Sequence, residues 1–466
     1  MNPFYARLTE KKMKFIRTTI AVLMILTLSI CPSGADEVFE LKAMVQQLRT
    51  DYESKIQSLE AKIGQLEANQ EQRVTDKVTQ LREEIKQEIK DETLQVDYIG
   101  RHNAPIGDGG LLVKNPFGFG NVSLGGYFDM EYLDRENEDA TFRQHRWIIN
   151  IGAQLADRIR FNSEYEIEYG GTNAPAGDGE AKVEQAYGDY LINDMINLRA
   201  GAILSPFGRY NLYHDSDLQD LTDRPILARD VVPTTWTEAG YGFFGEFNPA
   251  VGSYEDLMIN YEIYAVNGLD SGFSDTGTSG AKNSLKTDNN DDKAFVGRVA
   301  VSPFLGHEVA VNGYSGEYNG KGDTLTGIGF DILNTFGPLE LVMEYVYFGV
   351  EETPTAISDL ANYFQGAYAQ LNYHFWPEFL SNTFLGRGFD RPTLTLVGRY
   401  DWAKIGDDSD AVGSGDNEED RYTIGFNYRP LDTFVVKFEY QFNHTKNETL
   451  EAGDNNGFIS SVALGF

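Results

Sequence analysis

The sequence predicts an all-β transmembrane barrel of about sixteen antiparallel strands, preceded by an N-terminal α-helical coiled coil. Three observations lead there. Residues 119–466 alternate polar and apolar side chains with a period of two. The composition joins low mean hydropathy to many aromatics and glycines. The chain ends on an alternating segment closed by an aromatic residue, Phe466.

The 466 residues carry 39 Lys and Arg against 71 Asp and Glu, a formal charge of -32. That balance argues against nucleic-acid binding, which needs clustered cations over phosphates. A mean hydropathy of -0.38 does not suit a bundle of membrane helices. An aromatic content of 13%, with 47 Gly, suits a barrel. Alternate residues of a barrel face water, aromatic girdles sit at both interfaces, and Gly serves the turns.

Residues 1–35 read as an export signal. Lys11, Lys12, Lys14 and Arg17 form the basic region, with Met13 a second possible start. Ile20 to Ile30 is apolar and too short to span a bilayer. Ser33-Gly34-Ala35 offers a cleavage site before Asp36. Cleavage would remove Cys31, leaving a thiol-free chain suited to an oxidising compartment. Lipidation of Cys31 is the weaker reading, because bulky Ile30 precedes it.

Residues 36–92 are expected to form a periplasmic coiled coil. Leu41, Val45, Leu48, Tyr52, Ile56, Leu59, Ile63 and Leu66 step by threes and fours. The stripe resumes at Val74, Val78, Leu81, Ile85 and Ile89. The mean step, about 3.7 residues, is close to an eleven-residue repeat and predicts a nearly straight or weakly right-handed coil. An unpartnered stripe of this length favours self-association over a helix folded against the barrel mouth. Residues 93–118 read as a linker, because Pro105, Gly107, Gly109, Gly110 and Pro116 break regular structure.

The barrel strands are expected to start near 121, 141, 158, 180, 195, 236, 254, 292, 306, 322, 336, 362, 390, 419, 432 and 456. In 432–445, Phe434, Val436, Phe438, Tyr440 and Phe442 alternate with Val435, Lys437, Glu439, Gln441 and Asn443. A cation on the lipid face at the midplane costs roughly 2–4 kcal/mol, so the charged faces must line an aqueous lumen. Short turns near 156–157, 193–194, 334–337 and 429–431 alternate with longer acidic loops such as 268–291 and 405–420. The connection 376–389 departs from this, being long yet on the periplasmic side. An even strand count puts both termini in the periplasm. The final segment, with Phe458, Val462, Leu464 and Phe466 on one face, is similar to the assembly signal of outer-membrane proteins.

Leu198-Arg199-Ala200-Gly201-Ala202-Ile203-Leu204-Ser205-Pro206-Phe207-Gly208 resembles the strand-to-loop motif of the phosphate-selective porin O/P family. The resemblance covers 119–466. It implies a sixteen-stranded trimeric porin, anion uptake, and a long loop that folds into the barrel. The loop here, 206–235, mixes Arg209, His214, Arg224 and Arg229 with Asp215, Asp217, Asp220, Asp223 and Asp230. Arg209, His214, Asp215, Asp217, Asp220, Arg224 and Arg229 are the expected constriction residues. Opposed charges across such a constriction would orient polar solutes. The expected lumen-wall cations are Arg146, Arg160, Arg199, Arg298, Arg399 and Arg421, with Glu164, Glu166, Glu238, Glu262 and Glu344 among them.

The function so read is passive diffusion of small hydrophilic solutes, phosphate-like anions among them, across the bacterial outer membrane. The partners expected are outer-membrane lipid, two further copies of the chain and the solutes. A structural tether acting through the coiled coil is the alternative. A barrel enzyme would need a Ser/His or Asp/His set at the external rim, and the sequence displays none. No cofactor and no metal are expected: the six His are scattered without ligand spacing, and Asp288-Asn289-Asn290-Asp291-Asp292 reads as a solvated loop.

Overall fold

The computed structural model describes residues 95–101, 106–115, 120–171, 179–249, 257–274, 277–282, 285–351, 361–406, 417–446 and 454–466, together with Lys55. The signal, Cys31 and, Lys55 apart, the expected coiled coil lie outside them. Residues 91–466 form one compact unit.

Eighteen strands are present among the described residues. β1 (Gln95–Arg101) and β2 (Gly109–Lys114) come first. The barrel wall follows: β3 (Asn121–Arg135), β4 (Thr141–Ala156), β5 (Ile159–Glu168), β6 (Glu180–Leu191), β7 (Asn197–Leu204), β8 (Thr237–Phe247), β9 (Met258–Val266) and β10 (Ala294–Phe304). It continues with β11 (His307–Glu317), β12 (Thr324–Phe336), β13 (Leu339–Val350), β14 (Tyr363–Phe375), β15 (Thr393–Gly406), β16 (Asn417–Leu431), β17 (Phe434–Thr445) and β18 (Gly457–Gly465). Each pairs antiparallel with the next. β18 returns to β3 with Gly457 opposite Arg135 and Gly465 opposite Tyr127, closing a sixteen-stranded barrel. Every wall strand begins within four residues of the position expected from the sequence.

The alternation sorts as lipid and water require. On β17, Val435, Lys437, Glu439 and Gln441 are buried inside, while Phe438, Tyr440 and Phe442 are exposed outside. Exposed aromatics gather near both rims. Tyr440 and Phe442 approach to 4.9 Å near the loop end of β17, and Tyr373 stacks on Phe375 at 5.5 Å near the turn end of β14. Such belts anchor a barrel at the two headgroup layers. The segment 376–392 is long and on the turn side, as its position in the alternation requires.

One expectation differs from the structure. Within 93–118, read as an irregular linker, β1 and β2 form a hairpin. The reason lies in β3. β18 covers β3 only from Tyr127 to Arg135, leaving the edge at 121–124 open. An open edge is a row of unpaired backbone groups, and β2 satisfies it by pairing Leu111 with Leu124 and Lys114 with Asn121. Gly107 takes a positive φ just before β2, and Gly109 and Gly110 open β2 with positive φ.

The core also runs against soluble-protein habit. A buried apolar cluster lies inside the barrel, between the long loop and the wall. It joins Phe207, Ile226, Leu227, Val231, Val232 and Trp236 of the loop to Tyr314, Phe348, Phe364 and Ile405 of the strands.

Candidate functional site

The site is the loop 205–236, which connects β7 to β8 and crosses the lumen. Its two ends are tied together. Ser205 donates its backbone N–H to the Trp236 carbonyl at 2.8 Å, and Trp236 donates its own to Asn211 Oδ1 at 2.8 Å. Phe207 stacks on Phe348 at 4.9 Å and meets Trp236 edge-on at 5.7 Å. The chain then turns at Gly208, with φ of 80°. A Cβ there would lie 2.4 Å from Glu344 Oε1. That carboxylate accepts the Tyr210 N–H at 3.0 Å and seats the short helix α1 (Arg209–Leu212).

From Arg209 to Arg224 the loop is mostly polar, and most of its charges meet the wall. Arg209 bonds Glu308 at 2.7 Å, and Glu308 also accepts Arg298 at 2.8 Å. His214 Nε2 lies 3.1 Å from Glu184 on β6. Lys437 donates to the carbonyls of Ser216 and Leu221 at 2.6 and 3.1 Å. Asp217 is buried, and its carbonyl accepts Arg429 at 2.6 Å. Asp220 accepts Asn372 at 2.8 Å, Asn427 at 3.0 Å and Arg429 at 3.3 Å. Thr222 donates its N–H to Glu439 at 2.5 Å. Asp223 takes Arg421 at 2.8 Å and Arg135 at 3.3 Å. Arg224 donates to the Thr234 carbonyl at 2.6 Å. Arg229, half exposed, pairs with Asp230 at 2.7 Å and Glu419 at 2.5 Å. The loop therefore touches β3, β6, β11 and β13 to β17.

The structure places the expected wall cations on the inner face, most of them in ion pairs. Arg146 pairs with Glu166 at 3.1 Å. Arg199 holds Asp189 at 2.8 and 3.1 Å while stacked on the rings of Tyr187 and Phe244. Arg298 holds Asp331 at 2.5 Å. Arg399 and Arg421 share Asp401 at 2.9 and 3.4 Å. Arg160 differs: it is exposed, forms no ion pair among the described residues, and lines a lumen cavity of about 550 Å³ with Asn197, Tyr213, Phe244 and Glu262. Of the expected acids, Glu164 accepts Gln185 at 2.8 Å. Glu238 accepts Trp236 Nε1 at 2.7 Å and the Gly268 N–H at 3.1 Å. Glu262 accepts the Tyr264 hydroxyl at 2.6 Å. Phe466 exchanges backbone hydrogen bonds with Gly126 at 2.9 and 3.1 Å, and its ring is 45% exposed on the outer face.

Other site residues were not singled out from the sequence. Asp401, Lys437, Glu439 and Arg429 anchor the loop, yet they lie 175 to 221 residues from the groups they hold. The scattered His are also brought together with acids. His145 Nδ1 sits 3.0 Å from Asp129 and 2.9 Å from Glu131, and His374 converges with Asp220 and Glu340. The run Asp288–Asp292 folds onto its own neighbours, Asp288 pairing with Lys293 at 2.7 Å.

His214 gives the loop a pH dependence. Burial pushes its pKa down, but the Glu184 carboxylate beside it and Asp215 outweigh that, so the net shift is upward. A raised folded-state pKa means that the imidazolium contributes stability below the unfolded value, about 6.5, and that this is lost as pH rises through the folded value. The expected result is a loop that becomes noisier in single-channel records as pH rises above neutrality. His214→Gln should flatten that dependence, and an unchanged pH profile in the variant would remove His214 from the account.

The sequence profile of the phosphate-selective porin O and P family matches residues 123–334 and 318–465. The chain belongs to that family. Its outer-membrane barrel accordingly carries the aromatic belts described above. A curated relative, an uncharacterised protein of Aquifex aeolicus, is 32% identical over 184 residues. The match spans 38% of this chain and 40% of that relative. Among solved structures, OmpF of Salmonella typhi in complex with daunomycin is 14% identical with a TM-score of 0.50. The match covers 75% of this chain and 99% of that one. The anion-selective porin from Comamonas acidovorans is 12% identical with a TM-score of 0.46, over 74% and 99% of the two chains.

Proposed function

We propose that this porin is a passive outer-membrane channel for small hydrophilic solutes, with the loop 205–236 as its constriction. The observation that carries the reading is the course of the loop. Its polar stretch spans the lumen and is bonded to the inner wall on several sides, while its apolar stretch is sunk into the wall of β13 to β15. A loop so placed sets the pore's diameter and its charge, the two quantities on which passive selectivity rests. Transport and not catalysis is the role this arrangement supports.

The solute class is proposed from the charges left over after pairing. Arg224 and Lys282 make no ion pair among the described residues, and they donate to the adjacent carbonyls of Thr234 and Thr235 at 2.6 and 3.4 Å. Burial first, and then Lys182 and Arg224, push the Lys282 ammonium below its ordinary pKa, against the opposing pull of Glu180 and Glu168. The outer loops are acidic, but charges beyond about 8 Å are largely screened at physiological ionic strength. The inner wall carries acids as well, Glu164 and Glu238 among them, and we read the pair as the element that admits small anions. In a salt gradient across a planar bilayer, the reversal potential should show anion preference. Arg224→Glu with Lys282→Glu should move it toward cations. Cation preference in the unaltered protein would overturn the anion assignment, and no conductance from folded protein would overturn the channel. A homotrimer with a periplasmic coiled coil at residues 36–92 completes the proposal; the mass of the detergent-solubilised particle tests it.

A further inference from the structure

His374 on β14 is brought beside Glu340 on β13 and Asp220 on the loop, with one potential ligand atom from each lying within 4.8 Å of the others. Register explains the pairing on the wall: Glu340 lies opposite Asn372, two residues before His374. The loop then delivers Asp220 to the same spot, held by Arg429 and Asn427 of β16. The three side chains come close without bonding one another. The imidazole forms no ion pair with either carboxylate, and none of the three has a hydrogen bond to another.

The surroundings orient the potential ligands. Asn372, 1% exposed, donates from one amide nitrogen to Asp220 Oδ2 at 2.8 Å and to Glu340 Oε1 at 2.9 Å. It holds both carboxylates toward one point. Buried Thr395, opposite His374 on β15, bonds the imidazole Nδ1 at 3.0 Å through its hydroxyl. That bond fixes the ring and leaves Nε2 as the atom to offer. A metal-bound imidazole usually has its second nitrogen held in this manner. Asp220, Glu340 and Asn372 also line a cavity of about 220 Å³ beneath the loop, which gives an ion a way in. The second mixed cluster lacks this character. His145 bonds directly to both Asp129 and Glu131 and so forms a satisfied ion-pair triad.

We propose that Asp220, Glu340 and His374 hold one divalent transition-metal ion, bridging the loop to the wall. One imidazole and two carboxylates suit zinc(II), which such ligands hold at roughly 2.0–2.2 Å. Remaining positions would open to the cavity. The ion would clamp the loop to β13 and β14, and would offset the Glu340 carboxylate, which has no cationic partner among the described residues, at the turn-side face of the constriction.

The test uses the full-length porin in detergent, stripped with a chelator and titrated with Zn²⁺ alone by calorimetry. One saturable site per chain is expected. His374→Ala and Glu340→Gln should each weaken it at least tenfold, and Thr395→Val should weaken it by roughly 10–100-fold through the loosened ring. Cu²⁺ in the same site should show a single nitrogen ligand by electron paramagnetic resonance. No saturable binding, binding unchanged in His374→Ala, or loss of the site in His145→Ala instead would each overturn the assignment. Folded variants are confirmed by their circular dichroism, so a lost site is not read from an unfolded barrel. The binding test does not depend on conductance, so it stands apart from the channel proposal. In bilayers, Zn²⁺ on the turn side should move the reversal potential toward anions in the unaltered protein and not in His374→Ala.

Discussion

Arg421→Glu should open the channel. Arg421 is 1% exposed and reaches three groups: Asp223 on the loop at 2.8 Å, Asp401 on the wall at 3.4 Å, and the Arg224 carbonyl at 2.5 Å. Arg399 bonds the Asp223 carbonyl beside it at 3.0 Å. Together the two guanidiniums hold the middle of the loop against β15 and β16. Replacing one by a carboxylate sets three acids together in a confined space. Breaking a buried ion pair by removing one partner costs roughly 3–5 kcal/mol, and tenfold corresponds to about 1.4 kcal/mol. The ratio of docked to undocked loop should therefore fall by more than two decades. The barrel wall has its own ladder of backbone hydrogen bonds, so the loss falls on the loop. Single-channel conductance should rise to roughly twice its original value or more, since pore diameter limits flow. Arg421→Lys keeps the charge but loses the planar fork, and an intermediate effect is expected. Conductance unchanged in Arg421→Glu, with a folded barrel, would mean that Asp223 and Arg224 do not border the path of the solute.

How much of this was legible from the sequence depends on the range of the cause. The wall was readable because its cause is local: lipid outside and water inside impose a period of two on each strand separately. Tyr422 and Ile424 are exposed while Arg421 and Thr423 are buried, as their order alone indicates. The loop's polar character was readable, but its partners were not. Asp223 and Arg421 are 198 residues apart, and their meeting depends on barrel closure. The same applies to Asp220, Glu340 and His374, which no linear spacing would join. β1 and β2 were hidden for another reason. Glycines that look like breakers are what the start of β2 uses, and the strand that recruits them is an edge left open by β18.

Gly208→Val should unseat the same loop from its root. Gly208 has φ of 80° and ψ of 136°, a region that costs residues with a Cβ on the order of 1–3 kcal/mol. The clash adds to the strain. A Cβ would lie 2.4 Å from Glu344 Oε1, and the carboxylate that must move is the one accepting the Tyr210 N–H. Relief of the clash therefore costs the bond that seats α1, and Arg209 would lose its approach to Glu308. Valine, branched at Cβ, has the least room to adapt; alanine should show a smaller effect of the same kind. The loop, but not the wall, should become sensitive to protease between residues 209 and 235, and single-channel current should flicker. Gly388→Ala separates strain from clash. Gly388 also has positive φ, 93°, but nothing lies within 4 Å of its added Cβ, and it sits in the turn-side segment 376–392. That variant should lose a little stability and leave the current steady. If Gly208→Val conducts as quietly as the unaltered protein, the close approach to Glu344 is not what holds the loop. The seat would then rest on the stack of Phe207 against Phe348 and Trp236 alone.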